Sequence, residues 1–381
     1  MAIISEHAAA PFDLEQTEAF WLAPARLFDG ETVQAGRALR IAGGRVTEIV
    51  DASHVGRDGL PVWRTEALAS PGFFDVQING GGGVLFNANP TAEDLRAIAA
   101  AHRASGTTAL LPTLITDTPE VLDRAVEAML AAFGRDGIVG MHIEGPHISV
   151  ARKGAHNPRF IRPIDAHTFA AVRRLREAGV PVLLTLAPEC VPPGTVAALS
   201  ALGVVVSLGH TAADAATTRA AIAEGARCVT HLYNAMTPIT SREPGVVGAA
   251  LDSDIYCGFI ADGHHVDDAV LRLAIRARAV PDRMVLVSDA MPTWNGPDSY
   301  TLYGETIRLE AGRLINAIGS LAGVHIDMAA SLRRLVTDIG IPLDAALRMA
   351  TANPSRLMGL EAGVGFLRPG MPADIVLLAG L

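Results

Sequence analysis

From Pro71 onward, short apolar runs alternate with stretches that have helical periodicity. Eight such runs are present, and they read FFDVQIN, ALLPTL, IVGMHIE, PVLLTLAPE, VVVSLGH, RCVTHLYN, YCGFIADG and MVLVSDA. The segments between them carry helix-start signals: Thr91 and Asp94 form a capping box, and Thr118 precedes Pro119 at a first helical position. Because eight successive strand–helix units are typical of a (β/α)8 barrel, the sequence predicts an α/β fold with a TIM-like barrel.

Both ends of the chain have β character instead. The segment ALRIAGGRVTEIV places Gly43-Gly44 between two alternating runs, which indicates a hairpin. The closing segment GVGFLRPGMPADIVLLAGL is too short to form a domain of its own. We therefore expect residues 1–68 and 360–381 to pair in a small β-sandwich domain, with the barrel of residues 69–359 inserted between them.

Composition narrows the class of protein. A chain of 381 residues that is 50% hydrophobic can bury a large core, and a net charge of -9 disfavours nucleic-acid and anionic-membrane partners. The first twenty residues lack a basic segment followed by an apolar one, so we expect a cytoplasmic protein. The three cysteines, Cys190, Cys228 and Cys257, lack CxxC spacing and are interpreted as buried thiols.

Four of the predicted strands end in residues that can bind a metal or transfer a proton. Glu144 ends IVGMHIE, His210 ends VVVSLGH, His231 follows RCVT, and Asp289 follows MVLVS. A single strand-end histidine is more often a hydrogen-bonded packing residue than a ligand. However, catalytic residues of such barrels lie at the carboxyl ends of the strands, so four of them there indicate one site.

One glutamate and two histidines are a typical zinc ligand set that leaves a coordination position for water. Zinc lowers the pKa of that water to about 7, which produces a hydroxide nucleophile near neutral pH. Asp289, which is not needed as a ligand, is then the expected acid/base group. Lys153 is the only lysine in the chain and lies in a loop, so no strand lysine is available as a carbamylated bridging ligand.

The chain also carries a series of motifs in a characteristic order: PGFFDVQINGGGG, HIEGPH, KGAHNP, SLGHT, THLYNAM, REPG, ADGHHV, SDA and PGMPADIVLL. With these motifs the chain resembles the N-acetylglucosamine-6-phosphate deacetylases of the amidohydrolase superfamily. The resemblance implies hydrolysis of N-acetylglucosamine 6-phosphate to glucosamine 6-phosphate and acetate, in amino-sugar catabolism and recycling. It also implies a barrel inserted in a small β-sandwich, and a homodimer.

The resemblance assigns roles to individual residues. Glu144, His210 and His231 match the metal ligands, Asp289 matches the catalytic aspartate, and His156 matches the histidine that polarises the acetyl carbonyl. Arg242 is expected to reach the active site of the neighbouring subunit, where its guanidinium suits a phosphate. The remaining expected substrate contacts are Ala155, Asn234, Ala235, His265, Leu321, Ala322 and Gly323; His264, beside His265, stays ambiguous.

The sequence departs from common amidohydrolase patterns at the first strand. Gln77 and Asn79 stand where many amidohydrolases have a His-x-His pair, and amides are weak zinc ligands. We therefore expect a single divalent metal per subunit, Zn²⁺ first and Fe, Mn or Co as alternatives, with Gln77 and Asn79 as a vestigial second metal site. His147 and His325 also depart from the family pattern, and each either contacts substrate or packs.

Two alternatives to a deacetylase follow from the same residues. One is another amidohydrolase, a deaminase or cyclic-amide hydrolase, although such enzymes usually retain the first-strand histidines or a strand lysine. The other is a non-catalytic barrel protein, which would be expected to have lost some of the four key residues.

Overall fold

The structure, a computed structural model, describes residues 2–5, 11–13 and 17–380. Met1, residues 6–10 and 14–16, and Leu381 fall within the predicted range of the small β domain but lie outside the described residues. Among the described helices, none combines the length and apolar character that a membrane span requires.

The elements follow one another along the chain in three groups. The N-terminal strands are β1 (Ala2–Ser5), β2 (Ala19–Phe28), β3 (Val33–Ala35), β4 (Arg37–Ala42), β5 (Arg45–Asp51) and β6 (Val62–Pro71). The central group is β7 (Phe73–Ile78), β8 (Gly80–Gly81), β9 (Val84–Leu85), α1 (Ala92–Arg103), β10 (Thr107–Ile115), α2 (Pro119–Ala132), β11 (Met141–Glu144), α3 (Ala166–Glu177), β12 (Val182–Leu186), α4 (Thr195–Ala201), β13 (Val205–Leu208), α5 (Ala215–Ala223), β14 (Cys228–Val229), α6 (Gly245–Leu251), β15 (Tyr256–Phe259), α7 (Asp268–Arg276) and β16 (Met284–Leu286). The last group is β17 (Ser299–Leu302), β18 (Glu305–Glu310), β19 (Arg313–Ile315), α8 (Met328–Thr337), α9 (Leu343–Ala350), α10 (Ala352–Met358) and β20 (Asp374–Leu378).

Both ends of the chain contribute to one seven-stranded sheet. Its strands follow the order β1-β20-β6-β2-β4-β5, and β3 pairs with β2. The C-terminal strand β20 is parallel to β1 and antiparallel to β6, so it lies between two N-terminal strands. The predicted hairpin is formed by β4 and β5, with Gly43 and Gly44 at positive φ. The expected pairing of the two ends is thus confirmed, while the exact domain boundaries stay a prediction.

The eight apolar runs form the barrel, in the order β7-β10-β11-β12-β13-β14-β15-β16, with all neighbours parallel. Strand β10 is buried at all nine of its residues, as expected for a strand between barrel interior and covering helices. The helix caps also form: the Thr91 hydroxyl accepts the Asp94 N–H at 3.1 Å, and Thr118 accepts that of Val121. The predicted (β/α)8 barrel is confirmed.

The barrel closes between its first and last strands through few hydrogen bonds. β7 and β16 share no ladder, and a single bridge joins Ile78 and Ala290 just beyond the end of β16. The Asp289 N–H donates to the Gln77 carbonyl, and the Asn79 N–H donates to the Ala290 carbonyl, each at 2.9 Å. This seam therefore brings the carboxyl end of β7 against the segment that carries Asp289.

Two local structures differ from what periodicity indicates. Strands β17, β18 and β19 form a separate antiparallel sheet between β16 and α8, and Leu302, Ile307 and Leu314 pack against Met291 below it. The glycine run after β7, which has no alternation of apolar and polar residues, forms the short antiparallel ladder β8–β9. A Cβ on Gly80 would lie 2.3 Å from the Val84 carbonyl oxygen, so this close approach requires glycine.

Candidate active site

The four strand-end residues converge at the carboxyl end of the barrel. Glu144 ends β11, while His210, His231 and Asp289 lie just after β13, β14 and β16. The latter three have left-handed backbones, with φ of 47°, 32° and 52°, a conformation that non-glycine residues adopt rarely and often at functional sites. All four line one cavity of about 220 Å³.

Glu144, His210 and His231 form a compact, buried cluster. The Glu144 Oε1 atom lies 3.2 Å from Nε2 of His210 and 3.0 Å from Nε2 of His231, and the two Nε2 atoms are 3.1 Å apart. Burial opposes the charge of Glu144, yet hydrogen bonds from both histidines hold the pKa of its carboxyl well below the usual range. Burial also opposes the charge of His231, and the Glu144 carboxylate outweighs it and raises the pKa of His231.

The chemistry of this donor set fits a divalent cation. One carboxylate oxygen and two imidazole nitrogens lie within 4.8 Å of one another, in a combination typical of zinc sites. The Nδ1–H of His210 can donate to the Arg152 carbonyl at 2.8 Å, which leaves the Nε2 lone pair for a metal. The Nδ1 atom of His231 is buried and has no partner among the described residues.

Asp289 faces the same cavity and is held by two amides. Asn79 Nδ2 donates to its Oδ1 at 2.6 Å, and Gln77 Nε2 donates to the same oxygen at 3.1 Å. Burial and the nearby charge of Glu144 raise the pKa of Asp289 to about 6, against the opposing effects of His231 and Asn79. A carboxyl group with such a pKa can both accept and return a proton near neutral pH.

His156 is buried beside His210, with ring centroids 4.3 Å apart. Its Nδ1 atom lies 2.7 Å from the Thr116 hydroxyl, so Nε2 is the ring nitrogen left for a ligand. Burial and the neighbouring His210 hold the pKa of His156 well below the usual range, so its ring is neutral at physiological pH. In the tautomer that carries its hydrogen on Nε2, the ring accepts from the Thr116 hydroxyl at Nδ1 and can donate to a ligand from Nε2.

The residues expected to contact the sugar lie around this cluster with two exceptions. Those that line the cavity are Ala155, Asn234, Ala235, His265, Leu321 and Gly323. Ala322 is buried and lines an adjoining cavity with Lys153. Arg242 is exposed on the loop before α6 and does not line the cavity of its own chain.

Three histidines have roles that the sequence leaves open, and none of them lines this cavity: His147, His264 and His325. His147 is fully buried, with its two ring nitrogens 3.0 Å from the Arg162 carbonyl and the Thr168 hydroxyl, so it packs. His325 lies 3.0 Å from the Thr293 hydroxyl and beside the Trp294 ring. His264 is exposed.

Two polar partners in the site were not identified from the sequence. Thr116 immediately follows β10, so the strand-end rule applied to a hydroxyl residue would have included it. Asp262 lies three residues before His265 and accepts from its Nδ1 at 2.7 Å, which orients the imidazole. Burial opposes the charge of Asp262, but this contact lowers the pKa of its carboxyl to about 2.

Comparison with known proteins places the chain among metal-dependent hydrolases. The amidohydrolase family model matches residues 68–380. An N-acetylgalactosamine-6-phosphate deacetylase from Shewanella sp. is 43% identical over 318 residues, 82% of this chain and 80% of that protein. An N-acetylglucosamine-6-phosphate deacetylase from Haemophilus influenzae is 36% identical over 310 residues, 80% of each chain.

Solved structures agree with these sequence relatives. The crystal structure of N-acetylglucosamine-6-phosphate deacetylase from Pasteurella multocida superimposes with a TM-score of 0.89 at 33% identity. The match covers 95% of this chain and 96% of that one, and therefore includes the barrel and the small β domain. The family model, the relatives and the strand-end cluster lead to one conclusion: the chain belongs to the amidohydrolase family.

Proposed function

We propose that this protein hydrolyses the acetamide of N-acetylglucosamine 6-phosphate, releasing glucosamine 6-phosphate and acetate. The observation that carries the proposal is the cavity in which Glu144, His210 and His231 face Asp289 and His156. Relatives that are 36% to 43% identical are deacetylases of phosphorylated N-acetyl amino sugars. A reaction of this kind belongs to the catabolism and recycling of amino sugars.

Glu144, His210 and His231 would hold one divalent metal, with Zn²⁺ the first candidate and Fe, Mn or Co as alternatives. When bound, such an ion polarises a carbonyl and lowers the pKa of water. Gln77 and Asn79 present amide donors to Asp289, which supports a single metal per subunit because those groups are already engaged.

Asp289 is the proposed acid/base group. Its carboxylate accepts a proton from the water that attacks the acetyl carbon, and its acid form later protonates the nitrogen of the departing amine. This first step needs the carboxylate form of Asp289, and the positive charge of a neighbouring divalent cation would favour that form. The position of Asp289 beside His231 and Glu144 puts the proton acceptor next to the proposed metal ligands.

His156 is proposed to stabilise the oxygen of the acetyl group as negative charge develops there. The ring is neutral, and in the tautomer with its hydrogen on Nε2 it would donate a hydrogen bond to that oxygen without carrying a positive charge. Thr116 fixes the ring through Nδ1.

A phosphate group is bound best by cationic side chains that also donate hydrogen bonds. Among the described residues, the cavity lining includes neither lysine nor arginine, and its histidines are His156, His210, His231 and His265. We propose a homodimer in which the exposed Arg242 of one subunit reaches the phosphate in the other, because a guanidinium pairs with phosphate through two hydrogen bonds. The cytoplasmic location expected from the sequence is part of the same proposal.

A second candidate substrate is N-acetylgalactosamine 6-phosphate, since the Shewanella relative at 43% identity is a deacetylase of that sugar. A deaminase or cyclic-amide hydrolase is not favoured, because Gln77 and Asn79 occupy the first-strand positions as donors to Asp289. A non-catalytic barrel protein is not favoured either, because one cavity retains all three candidate metal ligands together with the candidate acid/base residue Asp289.

The test is acetate release by the purified, metal-supplemented protein from four substrates. These are N-acetylglucosamine 6-phosphate, N-acetylgalactosamine 6-phosphate and the two unphosphorylated sugars. We expect release from at least the first, and a much higher KM without the phosphate. No acetate from either phosphorylated sugar, with the metal bound, would refute the proposed function.

A further inference from the structure

Three polar residues alternate along strand β7 and just beyond its end, namely Asp75, Gln77 and Asn79, and all three contact the segment that carries Asp289. Asp75 accepts the Gln77 N–H at 3.1 Å and the Ser288 N–H at 3.2 Å, which ties the strand to that segment. Backbone hydrogen bonds from Asp289 to Gln77 and from Asn79 to Ala290 continue the contact. The two amides are therefore held at fixed positions relative to Asp289.

Both amides point at one oxygen of Asp289. Asn79 Nδ2 lies 2.6 Å and Gln77 Nε2 lies 3.1 Å from Oδ1, and no donor among the described residues is placed on Oδ2. Gln77 Nε2 also lies 3.3 Å and 3.4 Å from the two oxygens of Glu144. One amide group thus bridges the proposed acid/base residue and a proposed metal ligand.

We propose that Gln77 and Asn79 are positioning residues that fix Oδ1 of Asp289, so that Oδ2 is the oxygen that accepts and returns the proton. This inference rests on the proposed function and replaces the expectation that the two residues are only a vestigial metal site. Amides suit the task because they donate hydrogen bonds without titrating. The Gln77 amide also separates two carboxylates that would otherwise repel each other.

The groups that act on Asp289 come from several elements. Glu144 on β11 and Asp75 on β7 are acidic, whereas His231 after β14 and His265 after β15 are the facing histidines. None of these is placed as a hydrogen-bond donor to Oδ1. Removing an amide therefore removes orientation that these neighbours do not replace.

The test is a double-mutant cycle that combines Asn79→Ala with Asp289→Ala, because such cycles reveal whether two residues act through each other. Asn353→Ala is the matched control. Like Asn79, Asn353 is fully buried, and in both residues the Oδ1 atom has no hydrogen-bond partner among the described residues. The Nδ2 atom of Asn353 donates at 2.8 Å to the carbonyl of Met284, at the start of β16 and away from Asp289. Gln77→Met repeats the test at the second amide with little change in volume.

In the unmodified background, we expect Asn79→Ala to lower kcat by about 10- to 100-fold, since small misplacements of a catalytic group have costs of that order. KM should stay within about threefold, and metal content and the calorimetric affinity for glucosamine 6-phosphate should be unchanged. In the Asp289→Ala background, the same substitution should change kcat by less than about twofold. Asn353→Ala should lower the melting temperature and keep kcat.

Equal fold losses in both backgrounds would overturn the proposal, as would an equal kcat loss in Asn353→Ala. Loss of bound metal in Asn79→Ala and Gln77→Met would also overturn it, since the amides would then support the metal site instead of Asp289. If Asn79→Ala does not fold, Gln77→Met must show the same coupling to Asp289, and its absence counts against the proposal. Lack of acetate release by the unmodified, metal-loaded chain would instead contradict the proposed function.

Discussion

Asp75 at the barrel seam should make stability depend on pH in a way that one substitution abolishes. Its carboxyl group is fully buried and accepts N–H groups from Gln77 and Ser288 where β7 meets the end of β16. Burial raises the pKa of Asp75 to about 7, the charge of Asp289 adds to this, and the hydrogen bonds from Ser288 and Gln77 oppose it.

The sign follows from linkage between protonation and folding. A carboxyl whose pKa is raised in the folded state contributes stability that is fully present below its unfolded pKa of about 3.9. That contribution is lost as the pH rises through the folded pKa of about 7. Each pH unit is equivalent to about 1.4 kcal/mol, so raising the pH from about 5 to about 8 costs the folded state roughly 3 kcal/mol through this group.

Asp75→Asn removes the titrating group, so its stability relative to the parent should improve as the pH rises. An unfolding entropy of about 2.1 cal/mol/K per residue gives about 0.8 kcal/mol/K for 381 residues. The difference in melting temperature between the variant and the parent should therefore shift by about 3 °C in favour of the variant when the pH is raised from about 5 to about 8. Calorimetry on metal-free samples measures this, and an unchanged difference would refute the reasoning.

Three further substitutions test separate parts of the site. Glu144→Ala should lose bound metal because it deletes the charged ligand, and equal metal in variant and parent by elemental analysis would remove Glu144 from the ligand set. Arg242→Ala should raise KM for the phosphorylated sugar by roughly 10- to 100-fold and leave KM for the unphosphorylated sugar unchanged. An equal rise in KM for both sugars would argue against a phosphate contact. Thr116→Val removes the hydroxyl that orients His156, so kcat should fall about tenfold, and an unchanged kcat would show that the ring needs no such partner.

Much of the architecture can be predicted from the sequence because it depends on local patterns of residues. The eight barrel strands are apolar runs of suitable length, and the helices that start at Thr91 and Thr118 have side-chain caps that a sequence displays directly. The convergence of Glu144, His210, His231 and Asp289 followed from one topological rule, that parallel barrel strands end on the same side.

Other features depend on contacts between distant segments. From the sequence, Gln77 and Asn79 are recognisable only as replacements of metal ligands, because their contacts with Asp289 join residues 212 and 210 positions apart across the barrel seam. The β17–β19 sheet was not predicted, since its strands are short and largely exposed. The sequence leaves His147 as a candidate substrate contact, and only the fold shows that Arg162 and Thr168 occupy both of its ring nitrogens.

The central claim is that Asp289 transfers the proton beside a metal held by Glu144, His210 and His231. It is tested most directly by kcat for acetate release from N-acetylglucosamine 6-phosphate in Asp289→Asn, with metal content measured on the same sample. We predict a folded variant with the parent's metal content and a kcat lower by at least 100-fold, the order of a lost general acid/base. Full turnover by the metal-loaded variant would contradict the account.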